Sequence, residues 1–226
     1  MGIAENLLAV KQKISAAAVA AGRESGAVKL IAVSKTYPVD AVQAAIAAGQ
    51  VDFGENRVQE VVEKHAALPN VNWHLIGTLQ RNKVRQIAAF VHLIHSVDSE
   101  KLLEEINRQA ELHHRVIDCL LQINISHEEQ KSGMDESEAN ELLARISQFR
   151  HVRILGLMGM AAFTDNKPLI SSQFQSLAAT RARLRIHEGP RVELRELSMG
   201  MSGDFELAIA AGATMVRIGS SIFGHR

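Results

Sequence analysis

The sequence predicts an α/β protein: a single (β/α)8 barrel of the TIM type with an additional N-terminal helix, one domain over residues 1–226. Three observations carry that expectation. Eight short apolar runs alternate with segments of helical period over nearly the whole chain. No low-complexity linker interrupts the alternation. After the eighth run only "SIFGHR" remains, too short for a full covering helix, while an apolar stripe near the first residue can supply the missing cover. Strand and helix alternating eight times favour a closed parallel barrel over an open doubly wound sheet.

The opening helix places Ile3, Leu7, Val10 and Ile14 on one stripe, and it is expected to pack near the last strand. The first strand is "KLIAVSK", stopped before Pro38. "VQAAIAAG" then reads as a helix closing on Gly49, a residue suited to the left-handed position after a helix. "VDFGEN", "WHLIGT" and "VHLIHSVD" are the second to fourth strands. Between the last two, the basic cluster Arg81 to Arg85 reads most simply as an exposed first helical turn, with an anion or partner contact left open. "VIDCLLQINIS" is the fifth strand. Asp135 to Phe149 is a helix in which Asp135 and Glu138 suit a capping box, and Ala139, Leu142, Leu143, Ile146 and Phe149 share a face. "VRILGLMGM", "VELRELSMG" and "TMVRIGS" complete the eight, with "FELAIAAG" a helix closing on Gly212.

Composition narrows the function. At 226 residues and 46% hydrophobic, the chain can bury a large core. Lys+Arg and Asp+Glu both number 25, so no summed positive field draws in nucleic acid or an anionic membrane, and small-molecule chemistry is expected instead. The single cysteine, Cys119, sits in an apolar run as a small buried hydrophobe and can form no intramolecular disulfide. Glu5, Lys11 and Lys13 interrupt the first twenty residues, so no signal-peptide core or membrane span is read there. A reducing cytoplasm is the expected location.

In such a barrel the chemistry collects at the C-terminal ends of the strands. Lys35 ends the first strand. Either its stem packs on apolar neighbours while the head reaches water, or it is a desolvated amine able to form a Schiff base with a carbonyl. Closure brings the eighth strand beside the first, so Arg217 falls near Lys35. Beyond Arg217, Gly219 and Ser220 form a small turn whose amides can approach an anion, and the seventh strand ends in the Ser- and Gly-rich "LSMGMSGD". The loops after strands 7 and 8 are the usual phosphate site of this fold. A helix starting near Asp204 would add backbone donors, although Asp204 itself opposes an anion if it points inward. Amine, arginine and phosphate cradle on one rim suit a phosphorylated carbonyl compound, and pyridoxal 5'-phosphate is one.

From end to end the chain resembles the pyridoxal phosphate homeostasis proteins of the YggS/PROSC type, relatives of the barrel domain of alanine racemase. The resemblance is carried by "AVSKTYP", "DFGENRVQE", "WHLIGTLQRNKV", "QINISHEEQKSG", "GLMGM" and "LSMGMSGDFELAIAAGATMVRIGSSIFG". It implies that Lys35 is the Schiff-base lysine, that Ser198, Gly200, Gly219 and Ser220 form the phosphate cradle, and that Arg217 partners the pyridine nitrogen. Asn56 and Met158 become pocket wall, although "MGMAAF" departs from the family's pattern of a proline after "LM". The function implied is holding and handing over the cofactor without substantial turnover, as a monomer or weak dimer, with PLP-dependent apoenzymes as recipients.

Two rivals stand beside it. An amino-acid racemase of the related type uses a second β domain and a tyrosine acid/base, whereas here the barrel is read as taking up the whole chain and Tyr37 is the only tyrosine. An aldolase-like enzyme would need an acid/base beside the lysine, for which Glu55 is the nearest candidate; the residues alone leave this open. No metal is expected. His92 and His95, three apart in a strand, point to opposite faces; His74 lines the barrel mouth or is a core histidine, and His113 and His114 are surface.

Overall fold

The computed structural model describes residues 2–126, 128 and 132–224. Eight strands form the closed ring: β1 Lys29–Val33, β2 Asp52–Glu55, β3 Asn72–Leu75, β4 Leu93–Val97, β5 Ile117–Gln122, β6 Val152–Met158, β7 Val192–Ser198 and β8 Met215–Ile218. All neighbours run parallel. The ring closes where β8 pairs with β1, putting Ile31 opposite Arg217 and Ala32 opposite Ile218. Seven strands fall within the segments expected for them, and β3 starts one residue early, at Asn72, and stops at Leu75 within "WHLIGT"; strands covered on both faces suit such largely apolar runs.

The helices are α1 Ile3–Ala20, α2 Val39–Ala47, α3 Val58–Ala67, α4 Glu100–Leu112, α5 Glu136–Ala144, α6 Lys167–Leu184, α7 Phe205–Ala210 and α8 Ser220–Phe223. The stripe on α1 buries Leu7, Val10, Ile14 and Ala18 against α2, α7 and α8, and Asn6 Nδ2 donates to Ile222 O at 3.0 Å. The opening helix therefore covers the outer flank of the barrel between α2 and α7 that α8, a single turn, leaves bare. Gly49 and Gly212 adopt φ of +79° and +100°, the left-handed stops expected after α2 and α7.

Two elements differ from expectation in length. The helix from Asp135 has its capping box, with Glu138 N donating to Asp135 Oδ1 at 2.8 Å and Asp135 N to Glu138 Oε2 at 2.9 Å, but it ends at Ala144 and continues as a 3-10 turn, Ile146–Gln148. Between β3 and β4, Arg81–Gln86 is a 3-10 helix throughout, anchored by buried Val84, with Arg81 and Arg85 exposed. That segment offers too little apolar surface to hold a longer helix on the barrel.

The main core lies between the strands and the helices, and a smaller inner cluster, Ile31, Leu93, Leu120, Leu155, Met158 and Met215, fills part of the ring. The rest of the interior is polar, with Asp52, His74, His95, Ser198 and Arg217 all buried. Cys119 is buried, and burial pushes its thiol far above the usual range. Among the described residues no helix is long and apolar enough to cross a membrane.

Candidate functional site

The first half of the site is the end of β1. Ser34, just past the strand, is held from below by two groups: its hydroxyl donates to Glu55 Oε1 at 2.7 Å, and Lys64 Nζ on α3 donates to its carbonyl at 2.7 Å. Lys64 Nζ also meets Glu55 Oε1 at 2.6 Å. Burial pushes the Glu55 carboxyl up, opposed by the hydrogen bonds from Lys64 and Ser34. With Ser34 fixed, the chain turns sharply. Thr36 takes φ +67°, a left-handed conformation strained for a β-branched residue, and its N–H donates to Glu60 Oε2 at 2.6 Å. Lys35 lies between these two anchors with its side chain exposed, so water rather than burial surrounds the amine.

The second half is the end of β8. Arg217 points into the barrel, with Nη1 donating to Ser198 Oγ at 2.6 Å and Nη2 to Gly159 O at 3.2 Å. Burial pulls this guanidinium down to about 10, which leaves it protonated at neutral pH. Immediately beyond, Gly219 passes so close to β1 that a Cβ there would sit 2.9 Å from Val33 O. Only a residue without a side chain lets the two ends meet at this distance.

Between these halves lies a cleft of about 610 Å³. Lys35, Asn56, Arg217, Gly219 and Ser220 all line it, so five of the eight residues singled out from the sequence share one wall system. The other three sit behind it. Met158 is fully buried in the inner cluster, and the Ser198 hydroxyl is buried against Arg217 and His95. Gly200, at φ +93°, is pressed under α7, where a Cβ would lie 2.6 Å from that of Ala208. Asp204 turns its carboxylate to Met201 N at 2.6 Å rather than lining the cleft.

Sequence reasoning missed the remaining walls. Ile76, Gly77 and Thr78 follow β3 and Gln122 ends β5, so the rule that chemistry gathers at strand C-termini reaches them. Met201, Ser202 and Gly203 belong to the Ser- and Gly-rich stretch after β7, which the sequence marks as a loop without singling them out as lining, and Met160 and Phe163 follow β6, where it points to no residue beyond Met158. Phe163 is fully exposed at the mouth. Part of the motif "QINISHEEQKSG", at 127 and 129–131, lies outside the described residues.

The residues invoked for the rival chemistries are engaged elsewhere. Tyr37 stacks on Phe223 at 5.0 Å between ring centroids, and its hydroxyl donates to Gly224 O at 2.5 Å. Glu55 faces α3, on the opposite side of β2 from Gly54, whose open face meets Ile31 and Ile76 inside the ring. His74 and His95 are buried core histidines, Nδ1 of the first meeting Nε2 of the second at 2.9 Å. His92 lies before β4 and, with Asp52 and His74, forms a group whose ligand atoms lie within 4.8 Å of one another. His74, however, already gives Nε2 to Asp52 Oδ1 at 3.0 Å, so an ion there would have to break that bond.

A family described as alanine racemase, N-terminal domain, matches residues 6–226. Over 230 residues the chain is 40% identical to the pyridoxal phosphate homeostasis protein of Haemophilus influenzae, covering 100% of this chain and 97% of that one. It is 41% identical over 229 residues to the protein of the same name from Escherichia coli K12, covering 99% and 97%. The chain belongs to the pyridoxal phosphate homeostasis protein family. Among solved structures, this family member superposes on PipY of Synechococcus elongatus with PLP bound at a TM-score of 0.86 and 38% identity, covering 98% of this chain and 100% of that one. Alanine racemase from Enterococcus faecalis, at 15% identity and a TM-score of 0.68, and D-threonine aldolase from Filomicrobium marinum, at 19% and 0.72, share the fold alone; the chain spans 58% and 60% of their lengths.

Proposed function

We propose that this chain binds pyridoxal 5'-phosphate in the cleft at the C-terminal face of the barrel, linked covalently to Lys35, and that it holds and hands over the cofactor in the cytoplasm without substantial turnover. The observation that carries the reading is the meeting of an exposed amine, a buried protonated guanidinium and a close-packed Gly-Ser turn around one cleft. Likeness to a structure with PLP bound supports it. Pyridoxal phosphate supplies an aldehyde for a primary amine and a phosphate for amide and hydroxyl donors.

Lys35 Nζ is the amine on this rim. Gly219 and Ser220 begin a helical turn whose first N–H groups have no intrahelical acceptor, which suits them to a phosphate. Arg217 stays protonated, so a ring nitrogen facing it is kept unprotonated and is a poor sink for carbanion electrons. Asn56, just past β2, lines the cleft as well, while Met158, Ser198 and Gly200 support the site from behind. Neither Tyr37 nor Glu55 presents a free acid/base to the cleft, and that favours carriage over racemisation or aldol cleavage. PLP-dependent apoenzymes are the recipients in this reading.

A visible absorption spectrum of the protein loaded with PLP, followed by a racemase assay, tests the reading. A visible band with no measurable racemisation is expected. Saturable racemisation abolished by Lys35→Ala overturns carriage, and a protein that takes up no PLP overturns the whole reading.

A further inference from the structure

Four hydrogen bonds cross the inside of the barrel from the cleft to its opposite end. Arg217 Nη1 meets Ser198 Oγ at 2.6 Å, and Ser198 Oγ meets His95 Nδ1 at 2.8 Å. His95 Nε2 meets His74 Nδ1 at 2.9 Å, and His74 Nε2 meets Asp52 Oδ1 at 3.0 Å. All five residues are buried, the most exposed being Asp52 at 7%. The residues belong to β8, β7, β4, β3 and β2: three of the links join neighbouring strands, and Ser198 to His95 crosses the barrel from β7 to β4.

The roles of the two ends are fixed. A guanidinium only donates, and a carboxylate only accepts. Burial pushes both imidazoles down and so keeps them neutral; for His95 the nearby His74 and Arg217 add to the effect. Burial alone would raise Asp52, but the hydrogen bonds from His74 and Asn72, helped by the nearby charge of Lys29, outweigh that and lower it, leaving the carboxylate ionised. A neutral imidazole has one N–H and one lone pair. Asp52 therefore requires the proton of His74 on Nε2, which leaves Nδ1 as an acceptor. His95 must then donate from Nε2 and accept at Nδ1. Ser198 must give its hydroxyl proton to His95, and its oxygen accepts from Arg217. Reversing any link sets lone pair against lone pair or N–H against N–H.

We propose that Asp52, His74 and His95 are positioning residues for the cleft: they keep the Ser198 hydroxyl donating to His95 Nδ1, which makes Ser198 an acceptor clamp on Arg217 and withholds that hydroxyl proton from any bound ligand. The functional consequence rests on the reading of Arg217 as partner of the cofactor ring, whereas the direction of the chain does not. Without the clamp the guanidinium keeps one anchor, Gly159 O, at the longer distance of 3.2 Å. Ser198, taken from the sequence as a phosphate donor, acts in this arrangement on the arginine instead.

Two measurements test it. In ligand-free, 15N-labelled protein at neutral pH, long-range proton–nitrogen correlations read which imidazole nitrogen carries hydrogen. His74 and His95 are both expected neutral with the proton on Nε2; a proton on Nδ1 of His95, or an imidazolium at either ring, overturns the chain. The second compares His95→Gln with His95→Leu. Gln presents one donor and one acceptor and can bridge Ser198 and His74; Leu cannot. PLP affinity should fall about tenfold or more in the Leu variant, the loss expected for loosening one charge-assisted hydrogen bond, and stay within about threefold in the Gln variant. The pH midpoint of the bound cofactor's visible band should move only for Leu. Equal affinity and midpoint in wild type and the Leu variant overturn the positioning role. Should the Leu variant fail to fold, a Gln variant as weak as Arg217→Ala does the same. If wild type binds no PLP, the cofactor reading falls while the nitrogen shifts still decide the chain.

Discussion

Replacing Lys64 by methionine should damage this protein more than any change to the exposed Lys35. Lys64 is 5% exposed and donates to Glu55 Oε1 at 2.6 Å and to Ser34 O at 2.7 Å. Glu55 is fully buried, and its Oε2 already has no hydrogen-bond partner. Methionine preserves the volume of the lysine stem but leaves the carboxylate with Ser34 Oγ alone. Removing one partner of a buried ion pair costs about 3–5 kcal/mol, and for a chain of this length each kcal/mol moves Tm by about 2–4 °C. Thermal unfolding followed by circular dichroism should therefore show a drop of roughly 6–20 °C.

The sign of the pH dependence follows from Glu55. Its folded value is raised above the ordinary 4.5, so the folded state holds this proton more tightly than the unfolded chain. That contribution is fully present below about 4.5 and lost as pH rises through the folded value. Lys64→Met raises the folded value further, so the gap between variant and wild type should narrow in acid and widen toward neutrality. Glu55→Leu combined with Lys64→Met removes both charges and should recover most of the loss, leaving about 1–2 kcal/mol for the Ser34 groups stripped of their partners. A single variant within about 1 kcal/mol of wild type, or a double variant worse than the single, refutes the reasoning.

Three further outcomes are expected. Lys35→Ala should keep the wild-type Tm, because the side chain is exposed, but lose the cofactor adduct that borohydride fixes and mass spectrometry maps to Lys35. Wild type should bind PLP at least about tenfold more tightly than pyridoxal in titration, since two or three charge-assisted hydrogen bonds to phosphate are lost; Gly219→Val should shrink that difference, because its Cβ meets Val33 O at 2.9 Å and displaces the turn. Cys119, buried with its thiol pushed up, should resist thiol reagents in the native state and react on unfolding.

The strands were legible because most are short apolar or alternating runs of suitable length, and Lys35 and Gly219 because each is an anomaly at a strand end: a charge after five buried residues, and a missing side chain where two strands meet. Period-two alternation also assigns His74, His95 and Arg217 to the barrel interior in principle. It does not say that they touch. Contact between β3, β4, β7 and β8 depends on the stagger of the ring, and a shift of one residue in any strand would break the chain that ends on Asp52. Glu55 shows the same limit. Its position at a strand end suggested an acid/base, whereas the register turns it outward to Lys64.

The pairing of β8 with β1 joins segments from nearly opposite ends of the sequence. Contacts so remote in the chain form late, since the whole intervening length must be ordered first. Lys35 belongs to one edge of that seam and Arg217 to the other. Neither half of the barrel contains the cleft, and an incompletely folded or partly synthesised chain has no place to hold a ligand that needs both. On the proposed reading, capture of the cofactor reports that the ring has closed, and a ligand held across the seam acts as a staple on the last step of folding.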